Sequence, residues 1–230
     1  FATMKIGYFS LFALLLSSLV FAKTENNFMF SSKISPIPQA IAMKMRQYTW
    51  HEGCPVSLAD LAYIQITYWG FDNQTHTGSL IVHKDLAPEV VTIFKALYQH
   101  KFPIHSMKLM DEFKGDDNAS MAANNTSAFN CRQVTGRPGE YSQHSYGRAI
   151  DINPLLNPYV QDKKILPAKG APYVDRNQSA PGKIVNHDFV YQEFSNHGWD
   201  WAGNWFDVQD YQHFEKRAHG EKRNPYGYGK

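Results

Sequence analysis

The chain has 230 residues, a length that fits one well-formed hydrophobic core better than two. Its composition, with 43% hydrophobic and 14% aromatic residues, is that of a globular protein and excludes general disorder. The formal net charge is only +2 and no dense run of lysine and arginine occurs, so the sequence gives no support to a nucleic-acid partner.

The first segment, residues 1–22, has the pattern of a secretory signal peptide. Lys5 precedes an apolar run over residues 8–20, and small residues stand just before an abrupt polar change at residue 23. An uncleaved membrane anchor is the alternative, although the run is short for a span of about 20 residues. We therefore expect an exported protein, periplasmic or secreted, with no membrane span after cleavage.

Export affects how the two cysteines, Cys54 and Cys131, are interpreted. In an oxidising compartment they could form a disulfide. Two buried free thiols are the alternative, because the sequence does not show whether the two residues approach each other. Neither cysteine belongs to a Cys-x-x-Cys pair, so the sequence does not favour a thiolate zinc site.

The first half of the chain contains the clearest periodic segments. Residues 23–56 are polar and interrupted by prolines, and we interpret them as a leader that packs on a domain of residues 57–216. Strands are predicted over residues 63–69 and 78–82, and the polar turn between them indicates a hairpin. An amphipathic helix is predicted over residues 85–100 from apolar side chains at spacings of three and four.

The second half alternates long polar segments with short predicted elements. A third strand is predicted over residues 104–110, and residues 111–127 have no periodicity, which predicts a long and functional loop. Five prolines in residues 153–183 predict a second long loop, which a helix over residues 185–197 follows. Residues 217–230 form a basic tail that we expect to be flexible.

Strands and helices are mixed without regular alternation, and no internal repeat is visible. This order of elements predicts an α+β domain with a small, mainly antiparallel sheet and flanking helices.

Two zinc ligand types, His144 and Asp151, lie seven residues apart in the segment that begins at Ser142. Donor atoms around one zinc ion lie within about 3–4 Å of each other. Seven residues span about 10 Å on a straight helix and more than about 20 Å on a straight strand. The chain must therefore bend between the two residues, and a bend costs least at Gly147. We predict a turn there, followed by a strand that carries Asp151 inward.

A second segment offers Asp210 and His213, a carboxylate and an imidazole three residues apart. If both were ligands, the site would have four protein ligands and would be closed to water, as structural zinc sites are. If only His213 binds, an open position remains for water, and Asp210 can act beside it as a general base. Taken singly, each of these residues could be an ordinary surface or core residue.

The pattern Ser-x-His-x-x-Gly-x-Ala-x-Asp over residues 142–151, followed by acid-x-x-His over residues 210–213, resembles the zinc peptidases of the M15 family. This family includes D-alanyl-D-alanine carboxypeptidases and dipeptidases as well as L-alanyl-D-glutamate endopeptidases. The aspartate at the base position and the aromatic segment over residues 198–205 are similar to the endopeptidase-like branch. The resemblance covers roughly residues 60–215 and implies the Hedgehog/DD-peptidase-like zinc peptidase fold.

The resemblance also implies roles for single residues. It implies that Zn²⁺ is held by His144, Asp151 and His213, and that Asp210 is the catalytic base. It implies as well that an arginine upstream of the first ligand binds substrate and stabilises the oxyanion, and Arg132 is the matching residue.

Two more residues of the first motif have expected roles. Ser142 is expected to support the site or to bind a substrate carboxylate through its hydroxyl. Arg148 stands at a variable position of the motif and is expected to point to solvent.

Together these observations predict an exported zinc metallopeptidase that cleaves the peptidoglycan stem peptide, with the L-Ala-D-Glu bond favoured. A D-alanyl-D-alanine carboxypeptidase is the alternative among enzymes. A non-catalytic, zinc-containing module that binds the cell wall is the alternative from another class, and the intact Asp210 argues against it. The expected partner is the stem peptide, and the oligomeric state stays open.

Overall fold

The computed structural model describes residues 29–134 and 137–227. The predicted signal peptide, residues 1–22, lies outside the described residues. Within the described ranges, no helix has the length and hydropathy of a transmembrane span.

A three-stranded antiparallel sheet forms the N-terminal part of the fold. Strand β1 (Ser32–Pro36) leads into helix α1 (Gln39–Tyr48) and pairs with the long strand β2 (Leu61–Trp69), which in turn pairs with β3 (Thr75–His83). The predicted hairpin is confirmed, and both of its strands are longer than predicted. The boundaries of the predicted leader and domain stay a prediction.

Helix α2 (Ala87–Gln99) packs on this sheet and confirms the predicted amphipathic helix. Its apolar side chains, at spacings of three and four, are buried in one cluster with residues of β2 and β3, and they include Val90, Phe94 and Leu97. A proline in the first turn suits a helix start, because the backbone N–H groups there have no partner within the helix. The helix thus forms one side of the main hydrophobic core.

The segment after α2 differs from the prediction. The third strand is only β4 (Ser106–Met107), which pairs in parallel with β5 (Asn125–Thr126). The loop predicted over residues 111–127 is wrong, because the segment contains helix α3 (Asp117–Ala122). The carboxylate of Asp116 accepts hydrogen bonds from two backbone N–H groups in the first turn of α3. A residue typical of loops therefore acts here as a helix cap.

The next elements lead into the first motif. Strands β6 (Gln133–Val134) and β7 (Arg137–Tyr141) form a short antiparallel pair, and β8 (Ala149–Asp151) follows after a tight turn. Cys54 and Cys131 form a disulfide, so the two cysteines are not free thiols. This bond ties the segment ahead of β2 to the segment ahead of β6.

The second predicted loop, over residues 153–183, also contains regular structure. Strands β9 (Tyr159–Gln161) and β10 (Lys164–Leu166) form a hairpin within it, so the loop prediction is wrong there. Arg176 organises the rest of the segment, since its guanidinium donates to the backbone oxygens of Leu156, Tyr173 and Ile184. The hydrogen bonds of one half-buried arginine thus order a segment in which the sequence has no periodic pattern.

The last helix, α4 (Phe189–Asn196), begins four residues later than predicted, because the side chain of Asp188 caps it by accepting from Tyr191 N at 2.8 Å. Three short strands follow, namely β11 (Asp200–Trp201), β12 (Gln209–Asp210) and β13 (His213–Glu215).

These short strands complete two further three-stranded sheets. The first has the order β11-β13-β8 and the second the order β10-β9-β12, and all of their pairs are antiparallel. The main core lies between α2, α4 and the sheets, and its largest buried side chains are Phe94, Phe194, Trp199 and Phe214. The architecture is mixed α and β with small, mainly antiparallel sheets, and it is compatible with an α+β peptidase fold.

The C-terminal segment packs beside the turn that precedes β12. Arg223 forms an ion pair through two nitrogens with Asp207 and lies 4.2 Å from the centroid of the Trp205 ring. The backbone N–H of Phe206 donates to Pro225 O at 2.7 Å. Up to residue 227, the segment therefore makes defined contacts, and the flexibility that the sequence predicts for it stays a prediction.

Candidate active site

The turn between His144 and Asp151 is built around Gly147. A 3-10 turn over Gln143–Tyr146 ends at this glycine, whose φ of +65° is left-handed. A Cβ at this position would lie 2.5 Å from the backbone nitrogen of His83 in β3, so the close approach also requires glycine. Strand β8 then carries Asp151 into the sheet, and the predicted bend is confirmed.

Three potential ligand groups meet where β8 and β13 pair. Asp151 lies directly opposite His213 in the register of the two strands, which brings their side chains to the same face. His144 Nε2 lies 3.1 Å from His213 Nδ1 and 3.2 Å from Asp151 Oδ2. His213 Nδ1 lies 3.1 Å from Asp151 Oδ1. These separations suit donor atoms around one tetrahedral ion with bonds of about 2 Å.

The remaining ring nitrogens of both histidines have partners that orient the rings. His144 Nδ1 lies 2.5 Å from the carbonyl oxygen of Ala128, so its N–H donates there and Nε2 is left as the acceptor. His213 Nε2 lies 3.1 Å from Glu215 Oε2, so Nδ1 is left to face the other donor atoms. Backbone and carboxylate partners of this kind fix the orientation and tautomer of metal-binding histidines.

Glu215 contacts His213, and the sequence interpretation missed it. It is buried, and its second oxygen, Oε1, accepts from Arg217 Nε at 2.7 Å. Burial alone would raise the pKa of Glu215, but the hydrogen bond and charge of His213, together with Arg217, lower it. The spacing could have revealed it, because residues two apart on a strand share a face.

The carboxylates around His213 make the cluster strongly attractive to positive charge. Burial alone would lower the pKa of His213, but the hydrogen bonds and charges of Asp151 and Glu215 raise it to about 10. The two histidines likewise hold the pKa of Asp151 well below its usual range against the effect of burial. A site that stabilises a proton in this way also favours a metal cation in its place.

Asp210 lies outside the ligand group, at the end of β12. Its Oδ1 is buried and has no hydrogen-bond partner among the described residues. Burial raises the pKa of Asp210 to about 7 and the charge of Asp151 adds to the effect, while the positive charges of His213, His144 and Arg132 oppose it. A carboxyl group that titrates near neutrality suits general acid–base chemistry.

Arg132 lies near the same cavity and is held through its backbone. Its N–H donates to Ser145 Oγ at 2.8 Å, and its carbonyl oxygen accepts from the same hydroxyl at 2.7 Å. The guanidinium forms an ion pair with Asp117 of α3. The sequence interpretation recognised neither Ser145 nor Asp117. Asp117 was missed because α3, which carries it, was predicted as loop. Together they fix Arg132 beside the segment that carries His144.

The two other residues of the first motif have structural contacts. Ser142 is buried, and its hydroxyl accepts from the backbone N–H of His144 at 3.3 Å, so it supports the turn that carries His144. The expectation that Arg148 points to solvent is wrong, because its side chain is only 11% exposed. Its guanidinium lies 3.4 Å from His83 Nδ1, since the turn at Gly147 folds against β3.

The site opens into a cavity of about 340 Å³. One group of lining residues comes from α3 and β7 and includes Asn118 and Tyr141. Another comes from β9 and β10 and includes Tyr159 and Lys164. All six residues singled out in the sequence as site residues line this one cavity: Arg132, Ser142, His144, Asp151, Asp210 and His213.

A second group of potential ligand atoms comes from His51, Cys54 and Cys131. Both sulfur atoms of this group belong to the disulfide. It therefore offers no thiolate, which agrees with the sequence expectation.

The segment from residue 135 to residue 216 matches the family model described as D-alanyl-D-alanine carboxypeptidase. The match supports an M15 family peptidase. It confirms the resemblance seen in the motifs, and at family level it supports a peptidase that acts on peptidoglycan. It covers a little over a third of the chain, and Arg132 and α3 precede it. The searches of curated proteins and of solved structures gave no match.

The contact between Glu215 and His213 leads to a testable expectation. Glu215→Gln should weaken zinc binding about 10–100-fold. The negative charge of Glu215 orients the His213 ring and makes it more basic, and the substitution removes that charge. The dissociation constant is measured by competition with a chromogenic chelator. Glu221→Gln, at an exposed position, is the matched control and should leave affinity unchanged. Equal affinity in the two variants would show that Glu215 has no such role.

Proposed function

We propose that the protein is an exported, zinc-dependent peptidase of the Hedgehog/DD-peptidase-like fold that hydrolyses a peptide bond of the peptidoglycan stem peptide. The L-Ala-D-Glu bond is the favoured target. One observation carries the proposal: the donor atoms of His144, Asp151 and His213 converge in one cavity with Asp210, a half-buried residue whose buried Oδ1 is not one of them.

The three converging residues suit zinc. Two imidazole nitrogens and one carboxylate are common ligands of catalytic zinc, and three protein ligands leave a coordination position open. Zinc held there would supply Lewis-acid polarisation of the scissile carbonyl and of water. The contacts of His144 with Ala128 and of His213 with Glu215 support this role, because they keep one nitrogen of each ring directed at the other donors.

Asp210 accepts the proton of the attacking water and then delivers it to the nitrogen of the leaving amine. Burial raises its pKa to about 7, and the charge of a cation bound to His144, Asp151 and His213 would lower that value. The carboxylate form is then populated at neutral pH, and it can still take up a proton during the reaction. Among the described residues, its buried Oδ1 has no hydrogen-bond partner, so this oxygen is available to accept the proton.

Arg132 holds the substrate and stabilises negative charge that develops on the carbonyl oxygen. A fixed cation next to such an oxygen stabilises the transition state more than the ground state. Ser145 holds the backbone of Arg132 and Asp117 holds its guanidinium, so the cation is oriented before substrate arrives.

The endopeptidase-like branch is favoured by the aspartate at position 210 and by the aromatic segment over residues 198–205. The cavity also extends from α3 and β7 to β9 and β10, which suits a substrate that continues on both sides of the scissile bond. D-alanyl-D-alanine carboxypeptidase activity is the second candidate, and the description of the matching family model favours it.

Export is part of the proposal. The pattern of residues 1–22 supports it, as does the Cys54–Cys131 disulfide, since such bonds persist in oxidising compartments.

Digestion of purified peptidoglycan with and without a zinc chelator, followed by mass spectrometry, tests the function. An L-Ala-D-Glu endopeptidase releases the stem beyond its first residue, whereas a carboxypeptidase releases a single alanine. Both activities should disappear with the chelator and return with added zinc. Stoichiometric zinc and wall binding without any hydrolysis would instead indicate a non-catalytic module.

A further inference from the structure

The sheet formed by β10, β9 and β12 turns one face toward the cavity. Asp210 lies opposite Tyr159, which lies opposite Leu166, and one step further along the hairpin Gln161 lies opposite Lys164. Directly opposed residues, and residues two apart on a strand, share a face. All five side chains line the cavity. The face therefore forms a continuous surface from the proposed base to Lys164.

Lys164 differs from the other cations of the cavity. Among the described residues, the four arginines that line it each have a carboxylate partner, in the pairs Arg132–Asp117, Arg137–Glu140, Arg217–Glu215 and Arg223–Asp207. Within the same ranges, the ammonium group of Lys164 has neither an ion pair nor a hydrogen bond. Each of the four guanidinium groups thus has a carboxylate partner within the protein, whereas the Lys164 ammonium has none among the described residues.

The position of Lys164 defines which part of a bound peptide it can reach. Lys164 lies on β10, which is two strands away from β12, and it is displaced by two residues along the strand from the position opposite Asp210. The Cα atoms of Lys164 and Asp210 are therefore about 12 Å apart. Its flexible four-carbon stem lets the ammonium group cover part of that distance. An extended peptide advances about 3.4 Å per residue, so the reach corresponds to a group two or three residues from the scissile bond.

We propose that Lys164 binds a substrate carboxylate located two or three residues from the scissile bond and so selects acidic peptides. This inference rests on the proposed peptidase function and extends it to the choice of substrate. A carboxylate suits Lys164 because a compact ammonium attracts an anion without requiring the planar, two-pronged geometry of arginine. Lys164 lies at an exposed position, so we expect the contact to make a modest and salt-dependent contribution to the free energy of peptide binding.

The test is a binding cycle between the protein and its peptide. Zinc-loaded Asp210→Asn protein, in which hydrolysis is expected to be strongly slowed, is titrated calorimetrically with the peptides L-Ala-γ-D-Glu-L-Lys and L-Ala-γ-D-Glu-L-Lys-D-Ala. Each peptide is used with a C-terminal carboxylate and with a C-terminal carboxamide. In the shorter peptide the C-terminal group belongs to the second residue after the L-Ala-D-Glu bond, and in the longer peptide it belongs to the third. A version with the D-Glu α-carboxylate amidated serves as a control for the residue adjacent to the bond.

At one of the two lengths, amidation of the C-terminus should weaken binding about threefold to tenfold. Lys164→Ala should cause the same loss, and in that variant amidation should have no further effect. Lys163→Ala is the matched control, because this neighbouring lysine does not line the cavity. Equal losses in the Lys163 and Lys164 variants, undiminished sensitivity to amidation in Lys164→Ala, or no peptide binding at all would overturn the proposal.

Hydrolysis of the same peptides by the wild-type protein is measured separately. Binding that depends on Lys164 but is not followed by hydrolysis would count against the peptidase function and would support the role of Lys164. Hydrolysis together with binding that does not change in Lys164→Ala would support the peptidase function and would count against the role of Lys164.

Discussion

Asp210→Asn is expected to lower kcat on stem peptides about 10²–10⁴-fold, because an amide cannot accept the proton of the attacking water. Zinc content should stay at one ion per chain, since Asp210 is not among the three converging ligands. The side chains have nearly the same shape, so the burial around position 210 is preserved. Initial rates from chromatography of the peptide products and zinc content by mass spectrometry give the two readings.

Asp162→Asn is the matched control for this substitution. Asp162 is exposed at the turn of the β9–β10 hairpin, and its positive φ of +51° is well tolerated by asparagine. Its activity should be that of the wild type. Activity of Asp210→Asn within about twofold of the wild type would remove Asp210 from the mechanism and would leave the zinc site without its base.

The same residue predicts the direction of the pH dependence. Only the carboxylate form of Asp210 can accept a proton, so kcat/KM of the wild type should fall as the pH decreases through the pKa of this group. Burial raises that pKa to about 7, and a bound cation lowers it from there. The acid limb of a rate profile should therefore have its midpoint below pH 7. A profile without an acid limb would contradict the assignment of Asp210 as base.

The parts of the fold that the sequence predicts well are those with local periodicity. The hairpin of β2 and β3 follows from alternating β-branched residues, and α2 follows from apolar spacings of three and four. The bend at Gly147 was predictable for another reason, namely that two ligands seven residues apart cannot reach one ion on a straight element. These features depend on a few consecutive residues, which a single sequence contains.

The rest of the site depends on contacts between distant residues. The pairing of β8 with β13, which places Asp151 opposite His213, joins strands of three residues each and leaves no periodic signal. The hairpin that carries Lys164 and the helix that carries Asp117 both lie in segments predicted as loops. Such short elements are stabilised by tertiary packing, so their own composition resembles that of a turn. The sequence therefore predicted the three converging residues but not the walls of the cavity.

His144→Ala is expected to reduce zinc to less than about a tenth of an ion per chain and hydrolysis by about 10³-fold or more. The reason is that only two of the three converging donors would remain, and neither alone fixes the geometry of the ion. His144 is also buried, with its Nδ1 held by Ala128, so no neighbouring group can replace it without moving the turn. Zinc content and stem-peptide hydrolysis are measured on the same preparation.

Chelation separates the loss of the metal from a loss of folding. The wild-type protein treated with a chelator should be inactive and should melt at a lower temperature, because an ion that binds only the folded state stabilises it. Added zinc should restore both activity and Tm in the wild type, but neither in His144→Ala. His219→Ala, at an exposed position, is the control and should behave as the wild type throughout. Full activity of the chelated wild type, or of His144→Ala, would show that the three converging residues serve a purpose other than zinc catalysis.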